Sequence, residues 1–508
     1  MESTPIMHGY ANQQPDPAPG YRPAPRSRRQ FLAEQALGIG GVALAWLLAE
    51  DGHSLSATTK PHAAPALDLR PRPTHFAPRA KAMISLFMHG GPSHVDLLDP
   101  KPALTAHDGQ SYEGEVKFSF VERASRQLLA SPFRFERHGQ CGTEVSELLP
   151  HTAGIVDDIC VVRSMHTGHN GHEVSIRYFR GGIPGVVGRP TLGSWMVYGL
   201  GNESQELPAY VVLADPGGVP VDGASNWSCG FMPPLFQGTV LRSSEPRLAN
   251  LDPPARLRGL AQEQNLALLA ELNRRHLAAH PGEADLEARI ASYELAARMQ
   301  TAAKEALDLA GESEATQKLY GLDDPVTREY GTRCLLARRL VERGVRFVQI
   351  FLHDQPWDTH HGIRDNLPPI CRRTDRPAAA LVADLKARGL LDTTVVHWGG
   401  EIGRLPLTQN TGEAHNPATA GRDHNGQGFS MWLAGGGFRG GTTFGATDEV
   451  GHRAAENIVT PNDFQATLLH QFGLDHAKLA FDYNSRSQTL TDGRPARVVK
   501  EIIGTPGV

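Results

Sequence analysis

Histidine and carboxylate side chains gather where several short apolar runs of the sequence end. Four segments follow such runs, His89–Asp96, His166–Glu173, His353–His361 and Gly399–Glu401, and a fifth, Asp423–His424, lies just before the run at Phe429. Imidazole combined with carboxylate suits zinc, manganese or iron, whereas calcium prefers a site built almost wholly of oxygen. A single histidine after a strand is usually a hydrogen-bonded loop residue, but five such segments at successive strand ends favour a shared site. We therefore predict a divalent metal site, with zinc or manganese favoured over calcium.

The apolar runs that precede these segments have the composition of strands buried on both faces. Helical patterns precede two of the runs, from Pro325 to Gly344 and from Pro377 to Gly389. Strands that alternate with helices predict an α/β fold, with a doubly wound, mostly parallel sheet sandwiched by helices. Ligands of such sheets bind beyond the carboxyl ends of the strands, so the five segments should converge at one edge. The six apolar runs are Lys81–Met88, Ile159–Ser164, Ala209–Ala214, Val345–Leu352, Thr393–Trp398 and Phe429–Ala434.

Residues 254–319 have a charged, helical pattern that is interrupted near Pro281 and Gly282. We interpret this segment as a helical hairpin inserted into the α/β domain and packed on the sheet. A cap over the site is the alternative. The chain shows no repeat of fixed period, which argues against a solenoid or a propeller.

The amino terminus has the pattern of an export signal. Arg28 and Arg29 are followed by Phe31 and by an apolar run of about fourteen residues, Ala36–Ala49, which is shorter than the ~20 residues that span a bilayer. We predict a twin-arginine signal peptide over residues 1–57 and a Pro/Ala-rich linker over residues 58–79. The protein would then use the twin-arginine export machinery, be periplasmic or extracellular, and keep no stable membrane span after processing. An amphipathic helix with a chance arginine pair is the alternative.

The bulk composition argues against nucleic-acid binding. Fifty Lys and Arg residues against 55 Asp and Glu residues leave a net charge of -5, which is too balanced for binding by bulk electrostatics. The five cysteines are scattered and form no CxxC pair, so neither a disulfide framework nor a zinc knuckle is expected. The sequence contains no GxSxG or Walker motif, and the GxGxxG match at Gly435–Gly440 opens no helix. The chemistry must therefore come from the strand-end segments.

Four long motifs carry a resemblance to a known family. Together with the twin-arginine start, they resemble an exported, sulfatase-like bacterial family of unknown function, domain of unknown function 1501. Similarity places that family in the alkaline-phosphatase superfamily of sulfatases, phosphatases, phosphodiesterases and phosphonate-active enzymes. The resemblance implies one alkaline-phosphatase-like α/β domain over residues 80–500. The motifs are LFMHGGPSHVDLLDPKP (Leu86–Pro102), WDTHH (Trp357–His361), WGGEIGR (Trp398–Arg404) and GRDHNGQGFSMWLAGGGFRGG (Gly421–Gly441).

The resemblance also implies a set of metal ligands. Asp358 and His361 match an Asp-x-x-His variant of the superfamily's ligand loop, in which the usual spacing is one residue wider. Glu401 stands where an Asp-His pair is usual, and His424 resembles the late histidine ligand. At the end of the first strand, His89 stands where the superfamily has an aspartate, with Asp96 as the alternative farther along the chain.

A nucleophile and an anion-binding arginine are expected from the same resemblance. The C/S-x-P/A-x-R sequence of formylglycine sulfatases does not occur, so a conventional sulfatase is disfavoured. The segment that resembles the helix after the superfamily nucleophile begins at His172, which implies a nucleophile near Asn170 to His172 and makes His172 a catalytic candidate. Thr167 is the nearest hydroxyl, and Ser93 in the first loop is the competitor. Arg163 or Arg404 could bind an anionic ester in a bidentate way, and either could equally be a structural ion pair.

Three functions are consistent with these residues. The first is an exported metal-dependent hydrolase that acts on a sulfate, phosphate or related ester of a small molecule or a polysaccharide. The second is a non-catalytic exported protein on the same fold that recognises anionic polysaccharide. The third is a metal-dependent enzyme of another class, such as a phosphomutase-like transferase.

Overall fold

The fold was analysed in a computed structural model, which describes residues 68–119, 125–248, 251–252, 258–280, 283–409 and 416–505. All of these residues belong to one compact unit of the chain. The predicted signal peptide, residues 1–57, and the first part of the predicted linker lie outside the described residues. Within the described part of the chain, no helix has the length and apolar character needed to cross a membrane.

Sixteen strands are present in the described residues, and eight of them form the central sheet. The order across that sheet is β12-β4-β11-β8-β1-β7-β5-β6. In chain order the strands are β1 (Ala82–Phe87), β2 (Phe135–His138), β3 (Thr143–Ser146), β4 (Ile159–Met165), β5 (Tyr210–Ala214), β6 (Thr239–Arg242), β7 (Phe347–Phe351), β8 (Thr394–Gly399), β9 (Gly403–Arg404), β10 (His424–Asn425), β11 (Phe429–Ala434), β12 (Thr442–Phe444), β13 (Ala446–Thr447), β14 (Ala454–Glu456), β15 (Ala480–Tyr483) and β16 (Arg486–Thr489).

The sheet is mostly parallel, as the sequence predicts. Strand β1 pairs in parallel with β7 and β8, and β5 pairs in parallel with β6 and β7. Strand β11 is the exception, because it runs antiparallel to both β4 and β8. All six predicted apolar runs form strands of this sheet. The edge strands β6 and β12 escape prediction because they are short and partly exposed, so they lack a continuous apolar run.

Eleven α-helices occur in the described residues. They are α1 (His94–Leu97), α2 (Pro102–Ala106), α3 (Pro150–Ala153), α4 (His172–Gly181), α5 (Leu192–Leu200), α6 (Leu260–Ala279), α7 (Ala284–Leu307), α8 (Glu314–Leu319), α9 (Arg328–Glu342), α10 (Ile363–Ala387) and α11 (Pro461–Gln471). The second helix predicted before a strand is longer than expected. Helix α10 begins at Ile363 and continues through Pro377, where the sequence pattern places a helix start.

Helices cover both faces of the sheet, which confirms the doubly wound architecture. On one face, Leu336 of α9 and Leu381 of α10 pack in the same apolar core as Ile84 of β1. On the other face, Trp195 of α5 and Leu468 of α11 pack in a second core that includes Phe87 and Met83 of β1. Because successive residues of β1 enter opposite cores, the strand needs apolar side chains on both of its faces.

The predicted insertion contains two long helices, α6 and α7. Helix α7 contributes Met299 and Ala303 to the core beside α9, so it packs on the domain as a hairpin arm. Helix α6 has no buried residue. Residues 68–79 of the predicted linker run along the domain: the amide of Arg79 donates to Gln471 O at 2.8 Å, and the amide of Asn202 donates to Leu69 O at 2.7 Å.

Candidate metal centre

The strand-end segments meet at one edge of the central sheet. Asp358 and His360 lie in the loop after β7, Glu401 follows β8, and His424 begins β10. His172 is the first residue of α4, which follows β4. We call His172, Asp358, His360, Glu401 and His424 the histidine cluster. The geometric expectation that loops distant in sequence converge is met by these five side chains.

Asp358 lies at the centre of the histidine cluster. Its Oδ1 atom is 2.9 Å from His360 Nε2 and 3.1 Å from His424 Nε2. Its Oδ2 atom is 3.5 Å from His172 Nε2. The guanidinium of Arg404 also contacts Oδ1, and Gln355 Nε2 donates to Oδ2 at 2.9 Å. One carboxylate thus contacts three imidazoles that come from three separate segments of the chain.

Each imidazole is held on its other nitrogen by a second group. His172 Nδ1 is 2.7 Å from Glu401 Oε1, and His424 Nδ1 is 2.8 Å from Asn170 O. His360 Nδ1 is 2.5 Å from Gln409 Oε1. Outer contacts of this kind fix the ring orientation and the tautomer of metal-binding histidines. All three Nε2 atoms are therefore directed toward Asp358.

Glu401 is the most deeply buried carboxylate of the cluster. The backbone amide of Gly90 donates to Oε1 at 3.0 Å, so the carboxylate also ties the first strand's loop to α4. Gly90 has φ of +102°, and a Cβ there would lie 2.6 Å from Asp358 N, so this close approach requires glycine. The Oε2 atom of Glu401 has no hydrogen-bond partner among the described residues. A buried carboxylate oxygen in this state is available to a ligand such as a metal ion.

The charges of the cluster shift its pKa values in opposite directions. Burial alone would raise the pKa of Asp358, but Arg404 and the three imidazoles outweigh it and hold that pKa well below its usual value. Burial would lower the pKa of His172, yet its hydrogen bonds to Asp358 and Glu401 raise it to about 9. Burial, opposed by Asp358, lowers the pKa of His424 to about 4. His172 is thus the proton-carrying imidazole of the cluster.

Among the residues that the structure describes, two groups of side chains have the geometry to hold a metal ion. The ligand atoms of His172, Asp358 and His424 lie within 4.8 Å of one another, and so do those of His360, Asp423 and His424. Two imidazoles and one carboxylate form a donor set that zinc, manganese and iron accept, whereas calcium favours oxygen. The residues present therefore fit a divalent transition metal.

The structure places His360 in the position for which the sequence analysis names His361. The amide of Asp358 donates to Gln355 O at 3.0 Å, and this turn directs His360 back onto Asp358. The next residue, His361, forms a backbone bridge with Ala420 and exposes its side chain. The fold therefore brings Asp358 together with the histidine two residues later, His360. His361, three residues later, lies beyond the turn.

Asp96 and Ser93 lie in a separate, closed arrangement. Arg422 binds Asp96 in a bidentate way, at 2.7 Å from Oδ2 and 3.0 Å from Oδ1, and both side chains are fully buried. The hydroxyl of Ser93 donates to the same carboxylate. Asp96 is thus a counter-ion for Arg422, and Ser93 is engaged as its hydrogen-bond donor.

The remaining predicted residues also have structural partners. Thr167 Oγ1 donates to His169 O at 3.1 Å. Arg163 Nε lies 3.7 Å from Asp99 Oδ1, the structural ion pair that the sequence analysis leaves open. Arg404 Nε donates to Gly91 O at 3.0 Å while its other end contacts Asp358. His89 Nε2 is 2.9 Å from Arg180 Nη2, outside the two groups of candidate ligands.

Sequence reasoning missed His360 and Gln409 and did not select Asp423. The adjacent pair His360-His361 signals that one imidazole reaches the site, but only the turn decides which one. Asp423 stands beside His424 in the sequence, which does not separate a metal ligand from a structural carboxylate. In the structure, Asp423 Oδ2 accepts a hydrogen bond from the amide of Ser119 at 2.8 Å. Gln409 lies in no motif.

The protein is an α/β sandwich that carries a cluster of histidine and aspartate side chains at the carboxyl edge of its sheet. The family described as "Protein of unknown function (DUF1501)" matches residues 80–503. The chain therefore belongs to that family, which confirms the resemblance inferred from its motifs. A comparison with curated proteins found no match.

Solved structures show distant likenesses. The PsFucS1 sulfatase from Pseudoalteromonas sp. is 10% identical, with a TM-score of 0.32 over 78% of this chain and 68% of that one. A phosphonate monoester hydrolase from Silicibacter pomeroyi is 11% identical, with a TM-score of 0.32 over 71% and 72%. The lipoteichoic acid synthase LtaP from Listeria monocytogenes is 9% identical, with a TM-score of 0.31 over 80% and 76%. Likenesses this distant do not transfer an activity to the chain.

Proposed function

We propose that the protein is a metal-dependent hydrolase of sulfate, phosphate or related esters. The observation that carries the proposal is the convergence of His172, Asp358 and His424, whose ligand atoms lie within 4.8 Å of one another although they come from three distant segments. Side chains with strongly shifted pKa values at the carboxyl edge of a parallel sheet are typical of active sites.

The metal would be zinc or manganese, held by His172, Asp358 and His424, with His360 and Asp423 available for a second ion. A bound divalent cation supplies Lewis-acid polarisation of an ester oxygen. To bind it, His172 must lose the proton that Asp358 and Glu401 now stabilise. Glu401 and Asn170 keep the rings of His172 and His424 in place during that exchange.

The substrate would approach on the side of Asp358 and His360. These two side chains are 11% and 15% exposed, whereas Glu401 is fully buried. The hydroxyls of Thr167 and Ser93 donate to other protein groups, so we propose water as the nucleophile. Arg404 holds Asp358 in its orientation and supplies positive charge behind it.

The proposed setting is outside the cytoplasm. The arginine pair and apolar run of residues 28–49 support export through the twin-arginine machinery to the periplasm or beyond. A small-molecule ester or an esterified polysaccharide is the proposed substrate.

A non-catalytic binding protein is the second candidate. The contact between Arg404 and Asp358 favours it, because a guanidinium already neutralises the central carboxylate. Such a protein would recognise anionic polysaccharide without turnover.

Elemental analysis and an ester panel test the proposal. Purified wild-type protein should contain near-stoichiometric zinc or manganese and hydrolyse at least one of a set of aryl sulfates, phosphomonoesters and phosphodiesters. His424→Ala should lose both properties, whereas His276→Ala, which removes an exposed imidazole on α6, should keep both. Metal without turnover on any ester would favour the binding protein, and absence of metal from the wild type would contradict the proposed site.

A further inference from the structure

A small cavity lies against strands β1, β5, β7 and β8 of the central sheet. None of the five residues of the histidine cluster lines it. Its volume is about 20 Å³, room for one water-sized atom, and every side chain that lines it is buried. Three of its lining residues carry polar atoms without a hydrogen-bond partner among the described residues. Two of them offer nitrogen donors, Arg180 from the last turn of α4 and His397 from β8, and the third, Asn226, offers the acceptor Oδ1.

Arg180 is a buried cation without a carboxylate partner. It is 5% exposed, and its Nη2 atom donates to His89 Nε2 at 2.9 Å. Because arginine nitrogens can only donate, His89 accepts this bond as a neutral imidazole. The Nε and Nη1 atoms have no hydrogen-bond partner among the described residues. Burial lowers the pKa of Arg180 to about 9, although the nearby charges of Glu401 and Asp222 act in the opposite direction.

Nearby groups offset this charge only in part. The guanidinium lies 4.6 Å from the ring centroid of Phe87 and 4.8 Å from that of Phe351. Aromatic faces attract a cation, and so does the carboxyl end of a helix. Neither supplies an acceptor for the two unpaired nitrogens, and a buried donor without an acceptor destabilises the fold.

His397 adds a donor on the other side of the cavity. It is 1% exposed, and its Nδ1 atom is 3.1 Å from Ser85 Oγ. When Ser85 donates this bond, the hydrogen of the neutral ring lies on Nε2, which has no partner among the described residues.

We propose that the cavity between Arg180 and His397 binds a single halide ion, chloride under ordinary conditions. A halide accepts hydrogen bonds from both side chains and neutralises the guanidinium, whereas a water molecule would leave the charge in place. The small volume excludes sulfate and phosphate, so this site is distinct from the proposed ester site and does not depend on it.

Anomalous diffraction from wild-type crystals grown with bromide in place of chloride tests the proposal directly. A bromine peak is expected within hydrogen-bonding distance of Arg180 and His397. A feature without anomalous signal at that position, or no feature, would overturn the proposal in favour of a water molecule or an empty cavity.

Thermal unfolding provides a second test in solution. With gluconate replacing chloride at constant ionic strength, the Tm of the wild type should rise by about 1–2 °C for each tenfold increase in chloride. Arg180→Met should abolish this dependence. Arg346→Met is the matched control, because Arg346 is also 5% exposed but donates to Lys81 O at 2.6 Å and Gly201 O at 3.3 Å. A wild-type Tm that does not change with the chloride concentration would contradict the proposed site. If Arg180→Met does not fold, the bromide experiment with the wild type remains the test.

Discussion

Two dense groups of charged side chains are buried in this fold, the histidine cluster and a group beside the helical insertion. The second, which we call the arginine network, consists of Glu312, Arg338, Arg339, Glu342 and Asp384. It joins the segment before α8 to α9 and α10. Both groups contain carboxylates within ion-pair distance of cationic nitrogen atoms, but the chemistry of the cations differs.

The arginine network is built on permanent cations. Arg338 is 1% exposed, and its nitrogens lie 2.7 Å from Glu312, 2.7 Å from Glu342 and 3.0 Å from Asp384. A guanidinium keeps its proton at any ordinary pH, so this network has one charge state to stabilise. It ties α9 and α10 to the segment that precedes α8.

The histidine cluster is open. Imidazoles exchange protons near neutral pH and bind transition metals, and Glu401 Oε2 has no hydrogen-bond partner among the described residues. Charge density alone therefore does not identify a site. The distinction lies in whether the cationic groups can give up a proton and then bind a metal ion.

The largest expected effect comes from breaking the arginine network. Arg338→Met would leave three carboxylates without their shared cation, and the free energy of unfolding should fall by about 3–5 kcal/mol. Urea denaturation measures the loss. The metal content of the folded variant should equal that of the wild type, and joint loss of metal and stability would show that the two groups are not independent.

A somewhat smaller effect is expected from the histidine cluster. His360→Ala should weaken the binding of metal, and the ester turnover that needs it, by about 10²-fold, because it removes a ring directed at Asp358. Titration with zinc measures the affinity. His361→Ala is the neighbouring control and should stay within about twofold of the wild type; the reverse pattern would restore His361 as the ligand.

Acid should affect the arginine network through Glu312. Burial alone would raise the pKa of Glu312, but hydrogen bonds from Arg339 and Arg338 outweigh burial and lower it. The resulting stabilisation is present above the unfolded pKa of 4.5 and is lost as the pH falls through the lower folded pKa. Glu312→Gln should therefore be less stable at pH 6.5 and lose less stability on acidification. Equal slopes below pH 4.5 in both proteins would contradict this account.

The smallest effect is expected where ion pairs are exposed to water. Arg275 lies 2.8 Å from Glu271 on α6, and its side chain is 74% exposed. Arg275→Ala should change the free energy of unfolding by about 0.3–0.5 kcal/mol. A loss above about 1 kcal/mol in urea denaturation would mean that α6 carries more of the fold than its exposure indicates.

The sequence was sufficient to predict the architecture and the edge at which the site lies. Runs such as Ala209–Ala214 and Phe429–Ala434 are short and almost wholly apolar, which is typical of a strand covered on both faces. The segment after each run therefore had to emerge at an edge of the sheet. The direction of β11 was not predictable, because an antiparallel central strand has the same apolar composition as a parallel one.

The identity of the interacting side chains was decided by the tertiary structure. Asp358, His172, Glu401 and His424 were candidates from their positions in the motifs, but the sequence assigned Asp96 and His361 the same standing. Asp96 is bound by Arg422, which is 326 positions away along the chain, and His361 lies one residue beyond the turn that returns to Asp358. Composition and periodicity report the burial of local segments. The choice between a ligand and a counter-ion depends on partners that only folding brings near.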